Sequence, residues 1–369
     1  MIDRKDKPIT VVIDQMTIDK FLLDCQNLSL SKNGICGIDF EFDMNWGTKE
    51  RYISLMQIIL INDPMMYKDQ SVIKPIYLLD PLRQLNDRQM QKLIEYIFCS
   101  NVIKIFHGSD SLDFPHIFRS ILKNEKDKFV RFVNKSVDTR FLCELSKRLM
   151  RRIGSVDISD KKCSLYDALL AHKVIDDKLY SVLSNISSKI NYNKKWIIGK
   201  LTPEQIKYSS LDVAFLFDLL ANITNIIPES NHLLSIINRM YRFHIINRLE
   251  IIDISNKCKK YVESKNIQKD KLLFIDQKIM DRYLVDIVMN GKQLTVYMED
   301  ILSIDTLRKS LLFCLRAYMI NDNTDLIDKY FSDSKIFSSI SGHHTIIKLM
   351  NMIKEKNDKQ VDKLVDCDP

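Results

Sequence analysis

The chain has 369 residues, 46% of them hydrophobic and 28% charged, a mix that excludes disordered and collagen-like proteins and leaves room for two or three domains. Its 55 basic and 48 acidic side chains give a net charge of +7, which permits binding to polyanions without requiring it. No run approaches the roughly 18 apolar residues of a membrane span, and Met1 to Lys7 is charged where a signal peptide would turn apolar, so neither insertion nor secretion is expected. The eight cysteines, at 25, 36, 99, 143, 163, 258, 314 and 367, include no Cys-x-x-Cys pair and read as scattered, reduced core thiols of an intracellular protein, with cytoplasm and nucleus equally open.

Six of eight glycines and seven of eight prolines lie at or before Pro228. Because these residues punctuate turns between strands, the spacing predicts a loop-rich α/β domain over 1–228 and a mainly helical domain over 229–353. A polar, charge-dense tail follows over 354–369. In chain order the first part reads as strand Ile9 to Ile13, helix Ile18 to Leu28, strands Ile35 to Phe42 and Tyr52 to Ile61, and a short strand Pro75 to Leu79. Helix Asp87 to Cys99, strand Val102 to Phe106 and helix Ser111 to Leu122 come next. Only helical patterns follow: Thr139 to Ile153, Ser164 to Lys173, Lys178 to Ile186 and Pro203 to Ile223. The last opens with Thr202 as N-cap, Pro203 at the first position and Gln205 at the third, a capping box. Beyond Asn231 the runs Leu233 to Ile246 and Ser303 to Met319 read as helices and Lys292 to Met298 as a strand; no motif there identifies a role.

Three acidic constellations carry chemistry. In Gly37-Ile38-Asp39-Phe40-Glu41-Phe42-Asp43, residues two apart share a strand face, so Asp39 and Glu41 project together while Ile38, Phe40 and Phe42 fill the other side. An edge strand could simply solvate them. The following strand, however, is apolar on both faces, which predicts an inner sheet position where paired carboxylates call for a hard divalent cation. The second constellation is His107-Gly108-Ser109-Asp110-Ser111-Leu112-Asp113, in which one acid can cap the next helix and the other is left over. The third is Tyr208-Ser209-Ser210-Leu211-Asp212, whose spacing of four puts Tyr208 and Asp212 on one helix face.

Taken together the chain resembles the DEDDy 3′-5′ exonucleases of the RNase D and exosome-nuclease type, where Asp-x-Glu, a second-motif Asp and Tyr-x-x-x-Asp occur in this order. The likeness runs from about Ile9 to Leu220 and includes Ser54-Leu55-Met56-Gln57-Ile58, Leu79-Asp80-Pro81-Leu82, Asp138-Thr139, and Trp196 ahead of Leu201-Thr202-Pro203-Glu204-Gln205. One departure stands out: the family's second-motif Asp falls five positions after the His of His-Gly, which is Leu112 here, with Asp110 and Asp113 on either side. Asp113 is preferred because Phe114, Ile117 and Phe118 reproduce the apolar spacing that follows the family's acid; Asp110 then becomes the cap, and the alternative second-motif acid.

The resemblance implies a ribonuclease H-like fold with a mixed sheet of about five strands flanked by helices. It also implies two divalent ions, Mg²⁺ or Mn²⁺, held by Asp39, Glu41, Asp113 and Asp212, with Tyr208 orienting or helping to deprotonate the attacking water. Position 207, where the histidine subclass has its His, is Lys. The expected activity is stepwise release of nucleotides from the 3′ end of single-stranded nucleic acid, RNA being favoured over DNA. A DNA repair or proofreading exonuclease and a catalytically silent nucleic-acid-binding scaffold are the alternatives. Lys147, Arg148, Arg151 and Arg152 form a basic cluster that either contacts phosphates or is a plain solvated face, the second being preferred. Lys194 and Lys195 could meet a substrate backbone beside Trp196, which reads as packing. His107 reads as a structural strand-end residue and His343-His344 as a surface pair.

Overall fold

A computed structural model describes residues 9–45, 47–64, 75–152, 163–190, 195–226 and Ile245. The chain divides into two compact units, Met1–Pro228 and Glu229–Pro369, and the elements below belong to the first. The helices and strand expected beyond Asn231, the His343-His344 pair and the tail lie outside the described residues, Ile245 excepted.

The first unit is a mixed α/β structure on a sheet of six strands: β1 (Ile9–Val11), β2 (Ile35–Asn45), β3 (Glu50–Ile61), β4 (Ile76–Leu79), β5 (Ile103–Phe106) and β6 (Ser136–Asp138). Their order is β1-β4-β3-β2-β5-β6. β2, β3 and β4 form an antiparallel meander, while β1 joins β4, and β5 and β6 follow β2, in parallel. The sequence predicts about five strands and only helices after Leu122. β6 corrects this: it is a three-residue edge strand, too short to show a period. The helix before it, α5 (Lys126–Asn134), was also missed.

β3 occupies an inner position because both its faces are apolar: Leu55, Met56, Ile58, Ile59 and Ile61 are all at most 2% exposed. The other helices are α1 (Gln15–Leu30), α2 (Pro81–Gln84), α3 (Asp87–Leu93), α4 (Asp113–His116), α6 (Thr139–Arg152), α7 (Leu165–Ala171), α8 (Asp177–Lys189), α9 (Pro203–Ala214) and α10 (Leu216–Ile226). α1 starts where Asp14 and Thr17 form a reciprocal capping box, and buries Ile18, Phe21, Leu22, Cys25 and Leu28 at helical spacing. Phe21 meets Tyr77 of β4 on the sheet face that also carries Ile38. Phe106, Phe114 and Phe132 join β5, α4 and α5 in one aromatic cluster.

The opposite face, with Gly37, Asp39 and Glu41, is covered by α9 and α10. What reads in the sequence as one helix, Pro203 to Ile223, is broken at Phe215, and Leu216 of the second segment settles on Gly37. A Cβ at Gly37 would stand 3.2 Å from Leu216 Cδ1 and 3.0 Å from Ile59 Cγ2, so the absent side chain lets the helix close over β2.

Two further expectations are corrected. Cys143 of α6 and Cys163, just before α7, form a disulfide with their Cα atoms 6.1 Å apart, so the cysteines are not all reduced thiols. Their separation of 20 residues is closed by the packing of α6 against α7, which no spacing motif announces. Lys147 is 7% exposed and so does not belong to a solvated basic face. It lies one turn after Cys143, and its charge acts on the buried His172. Among the described residues no helix is long and apolar enough to cross a membrane.

Lys104, in the middle of β5, is fully buried, and burial lowers its pKa to about 8. Its Nζ donates to the carbonyls of Phe98 (3.2 Å) and Ser100 (3.3 Å), at the end of a π-helical turn, Ile94–Phe98, that continues α3. It also lies 5.9 Å from the centroid of the Phe132 ring. Substituting Met strands two carbonyls that no longer have this donor, at a cost of about 1–3 kcal/mol. Lys104→Met is therefore expected to lower the urea midpoint, and an unchanged midpoint would show that the carbonyls find other donors.

Candidate metal centre

β2 and α9 build the acidic centre. The period of two along β2 sets Asp39 and Glu41 side by side, and α9 lays Asp212 over them so that one ligand oxygen from each of the three lies within 4.8 Å of the others. Asp39 and Glu41 are half-buried; Asp212 is 8% exposed. The position of α9 is fixed locally. Thr202 and Gln205 close a capping box with Pro203 at the first helical position, and the Gln205 amide reaches the carbonyl of Lys195 at 3.5 Å. Ser209, buried beneath the helix, turns its hydroxyl inward to the Gln205 carbonyl at 2.7 Å.

The second acidic motif sits in the turn after β5. Asp138, at the end of β6, holds it: one oxygen accepts from Gly108 N–H and Arg140 N–H, the other from Ser109 N–H and Ser109 Oγ, all at 2.9 Å. Gly108 has φ 75°, a left-handed conformation that suits glycine. His107 bridges Thr139 Oγ1 (2.9 Å) and the Cys163 carbonyl (3.1 Å), in keeping with a structural role. Asp113 opens α4, is 8% exposed and feels the charge of Asp39, while Glu41 feels that of Asp113. Asp110 does not cap the helix as the sequence suggests: the N-cap position is Leu112, without a side-chain cap, and Asp110 faces the Arg140 guanidinium at 3.6 Å.

Burial pushes all four carboxyls up. Asp39 rises to about 7, chiefly by desolvation. Glu41 is raised by desolvation and then by Asp39, Asp212, Asp113 and Asp43; Asp113 by desolvation and then by Asp39, Asp138 and Asp110. Asp212 is raised by desolvation and Asp39, and partly relieved by hydrogen bonds from Tyr166 and Tyr208. Among the described residues, the groups acting on these four are one another, other carboxylates, two tyrosine hydroxyls and a backbone N–H. An all-oxygen set of carboxyls whose burial and mutual charge disfavour ionisation without a cation fits a hard divalent ion. Gln57 sharpens the fit. It pairs with Asp39 across the sheet, is fully buried, and neither its amide nitrogen nor its amide oxygen has a partner among the described residues.

Three contributors were not assigned from the sequence. Asp43, two residues beyond Glu41, accepts from the backbone N–H of Trp196 at 3.1 and 3.3 Å, and the buried Trp196 ring lies 6.1 Å from that of Tyr208. Ser54 donates to the Glu41 carbonyl (3.2 Å) at a bulge, where the β2–β3 register shifts between Glu41 and Phe42. Tyr166 of α7 donates to Asp212 Oδ1 at 3.0 Å. Asp43 was visible as the third acid on one strand face, but its partner lies 153 residues away and Tyr166 belongs to no motif. Of the basic candidates, Arg148 is half-buried, Lys195 is exposed, Arg151 and Arg152 end α6, and Lys194 lies outside the described residues.

No family model matches the chain. Uncharacterized protein L533 of Acanthamoeba polyphaga mimivirus is 29% identical over 259 residues, which are 64% of this chain and 47% of that protein, so the chain spans about half the length of this curated relative. Among solved structures it is similar to the catalytic core of RRP6 from Trypanosoma brucei, with 13% identity and a TM-score of 0.40 over 97% of this chain and 82% of that one. It is also similar to Brucella melitensis NrnC with bound Mg²⁺, with 14% identity and a TM-score of 0.33 over 66% of this chain and 92% of that one. A third similar structure is a nuclease in its apo form, with 14% identity and a TM-score of 0.37 over 67% of this chain and 95% of that one.

The raised carboxyls give the metal-free protein a signed pH response. Asp39 keeps its proton in the folded state up to about 7 and loses it near 3.8 when unfolded, so folded protein binds more protons between these values and its stability falls as pH rises through them. With chelator present, the melting temperature is expected to fall between pH 5 and pH 7.5, and to fall less in Asp39→Asn. Equal slopes in the two proteins would show that the centre does not govern the response.

Proposed function

We propose that this chain is a metal-dependent 3′-5′ exonuclease that releases nucleotides from the 3′ end of single-stranded nucleic acid, with RNA as the favoured substrate. The observation that carries the reading is the convergence of Asp39, Glu41 and Asp212 within 4.8 Å, in a centre that also couples electrostatically to Asp113. Those are the acids of the three motifs that gave the exonuclease resemblance. The mixed sheet with helices on both faces accords with the ribonuclease H-like fold that the resemblance implies.

In this reading Asp39, Glu41 and Asp212 would hold one divalent ion, and Asp39, with Asp113 through water, would hold a second. Such a pair, when bound, lowers the pKa of an attacking water and stabilises the charge on the leaving 3′ oxygen during in-line displacement. The chain's own residues supply the rest. Tyr208, one turn before Asp212 and hydrogen-bonded to it, presents its hydroxyl to orient the water. Trp196, held by Asp43, backs the Tyr208 ring and limits its swing. Arg148 and Lys195 are candidates for backbone phosphate contacts, which position a strand without reading its sequence.

End-labelled single-stranded RNA and DNA of one sequence, incubated with Mg²⁺, Mn²⁺ or EDTA, test the activity, its polarity and its sugar preference together. Shortening from the 3′ end that EDTA abolishes is the expected result; internal cuts, 5′ polarity or no cleavage in Mg²⁺ and Mn²⁺ would reject it. Asp39→Ala removes a ligand common to both ions and should slow turnover by at least roughly a hundredfold. Tyr208→Phe keeps every ligand and should be milder. Asp113→Asn should abolish turnover with little loss of stability, whereas Asp110→Ala, which removes a carboxylate that faces Arg140, should keep most activity. Single-turnover cleavage and melting curves of both variants decide between the two acids.

A further inference from the structure

α7 is a seven-residue helix fixed to α6 at both ends. Before its start the Cys143–Cys163 disulfide ties it down, and the Cys163 carbonyl also meets His107; at its far end the buried His172 ring pairs with Ser146 Oγ at 3.0 Å. Within it, Asp167 accepts from Tyr180 of α8 at 2.9 Å, and its neighbour Tyr166 sends its hydroxyl to Asp212 Oδ1 at 3.0 Å. Asp212 therefore receives hydroxyls from two sources. Tyr208 shares its helix and moves with it. Tyr166 belongs to the α6–α7 frame and does not.

We propose that Tyr166 is a positioning residue that locks the Asp212 carboxylate, from outside its own helix, into the orientation that binds a divalent cation. The proposal rests on the metal-centre reading above. A hydroxyl bound to one carboxylate oxygen sets the rotamer of the group, and losing such an outer partner typically costs about 10- to 100-fold in metal affinity. The helix that carries the donor is anchored on both sides, by the disulfide before its start and by the Ser146–His172 pair at its end.

Mn²⁺ titration of the full chain, followed by isothermal calorimetry and by thermal shift, tests this on the wild type, Tyr166→Phe and, as a control for the α7–α8 contact, Tyr180→Phe. Tyr166→Phe should need roughly tenfold more Mn²⁺ to reach half-saturation, with RNA cleavage recovering at saturating Mn²⁺, while Tyr180→Phe keeps the wild-type midpoint. A wild-type midpoint in Tyr166→Phe, with or without a lower melting temperature, would make the residue merely structural and overturn the proposal while leaving the metal centre intact. A shift of the same size in Tyr180→Phe would also overturn it, by tracing the effect to loosening of α7. No Mn²⁺ response in the wild type would remove the metal centre, and this proposal with it.

Discussion

The centre of the first unit carries four carboxylates that repel one another in a place where water is scarce. Desolvation pushes each of them above its ordinary range, and charge from neighbouring acids adds to it at Glu41, Asp113 and Asp212. A fold tolerates such a seam only if the surrounding backbone cannot relax away from it. The rest of the unit supplies that stiffness: an inner strand, β3, with apolar side chains on both faces; a helix, α9, started by a reciprocal cap; and a glycine that lets α10 close down beside the acids.

Much of the polar chemistry serves the same end without touching the centre. Asp138 spends both oxygens on the turn that delivers Asp113, and Asp43 holds the loop that brings Trp196 against Tyr208. Both are buried and both accept backbone N–H groups, so each contributes a charge-assisted hydrogen bond of the stronger kind. These two acids shape the site through backbone amides, while Asp212 in the centre is held by tyrosine hydroxyls and Asp39 by the backbone N–H of Phe40.

What could be read in the sequence was local. The pairing of Asp39 with Glu41 follows from a period of two, the start of α9 from Thr202-Pro203-x-Gln205, and the inner place of β3 from its unbroken apolar run. Features that depend on distant packing were not readable. Lys147 reads as part of a solvated basic face and is buried; Cys143 and Cys163 look unrelated and are bonded; Asp110 looks like a helix cap and faces Arg140. β6 was missed because three residues at a sheet edge show no period, and Tyr166 because an ordinary helix residue becomes part of the centre only when α7 is docked.

The separation of the acids along the chain also sets a schedule for their assembly. Asp39 and Glu41 leave a ribosome roughly 170 residues ahead of Asp212, which at about 5–20 residues per second is roughly 10 to 30 seconds. During that interval the early sheet can form around an open acidic face, with water still solvating both side chains. The repulsive seam comes into being only when Thr202 to Ala214 coils and settles on β2, so the most unfavourable electrostatic step is deferred to a stage at which most of the hydrophobic core is already in place to drive it.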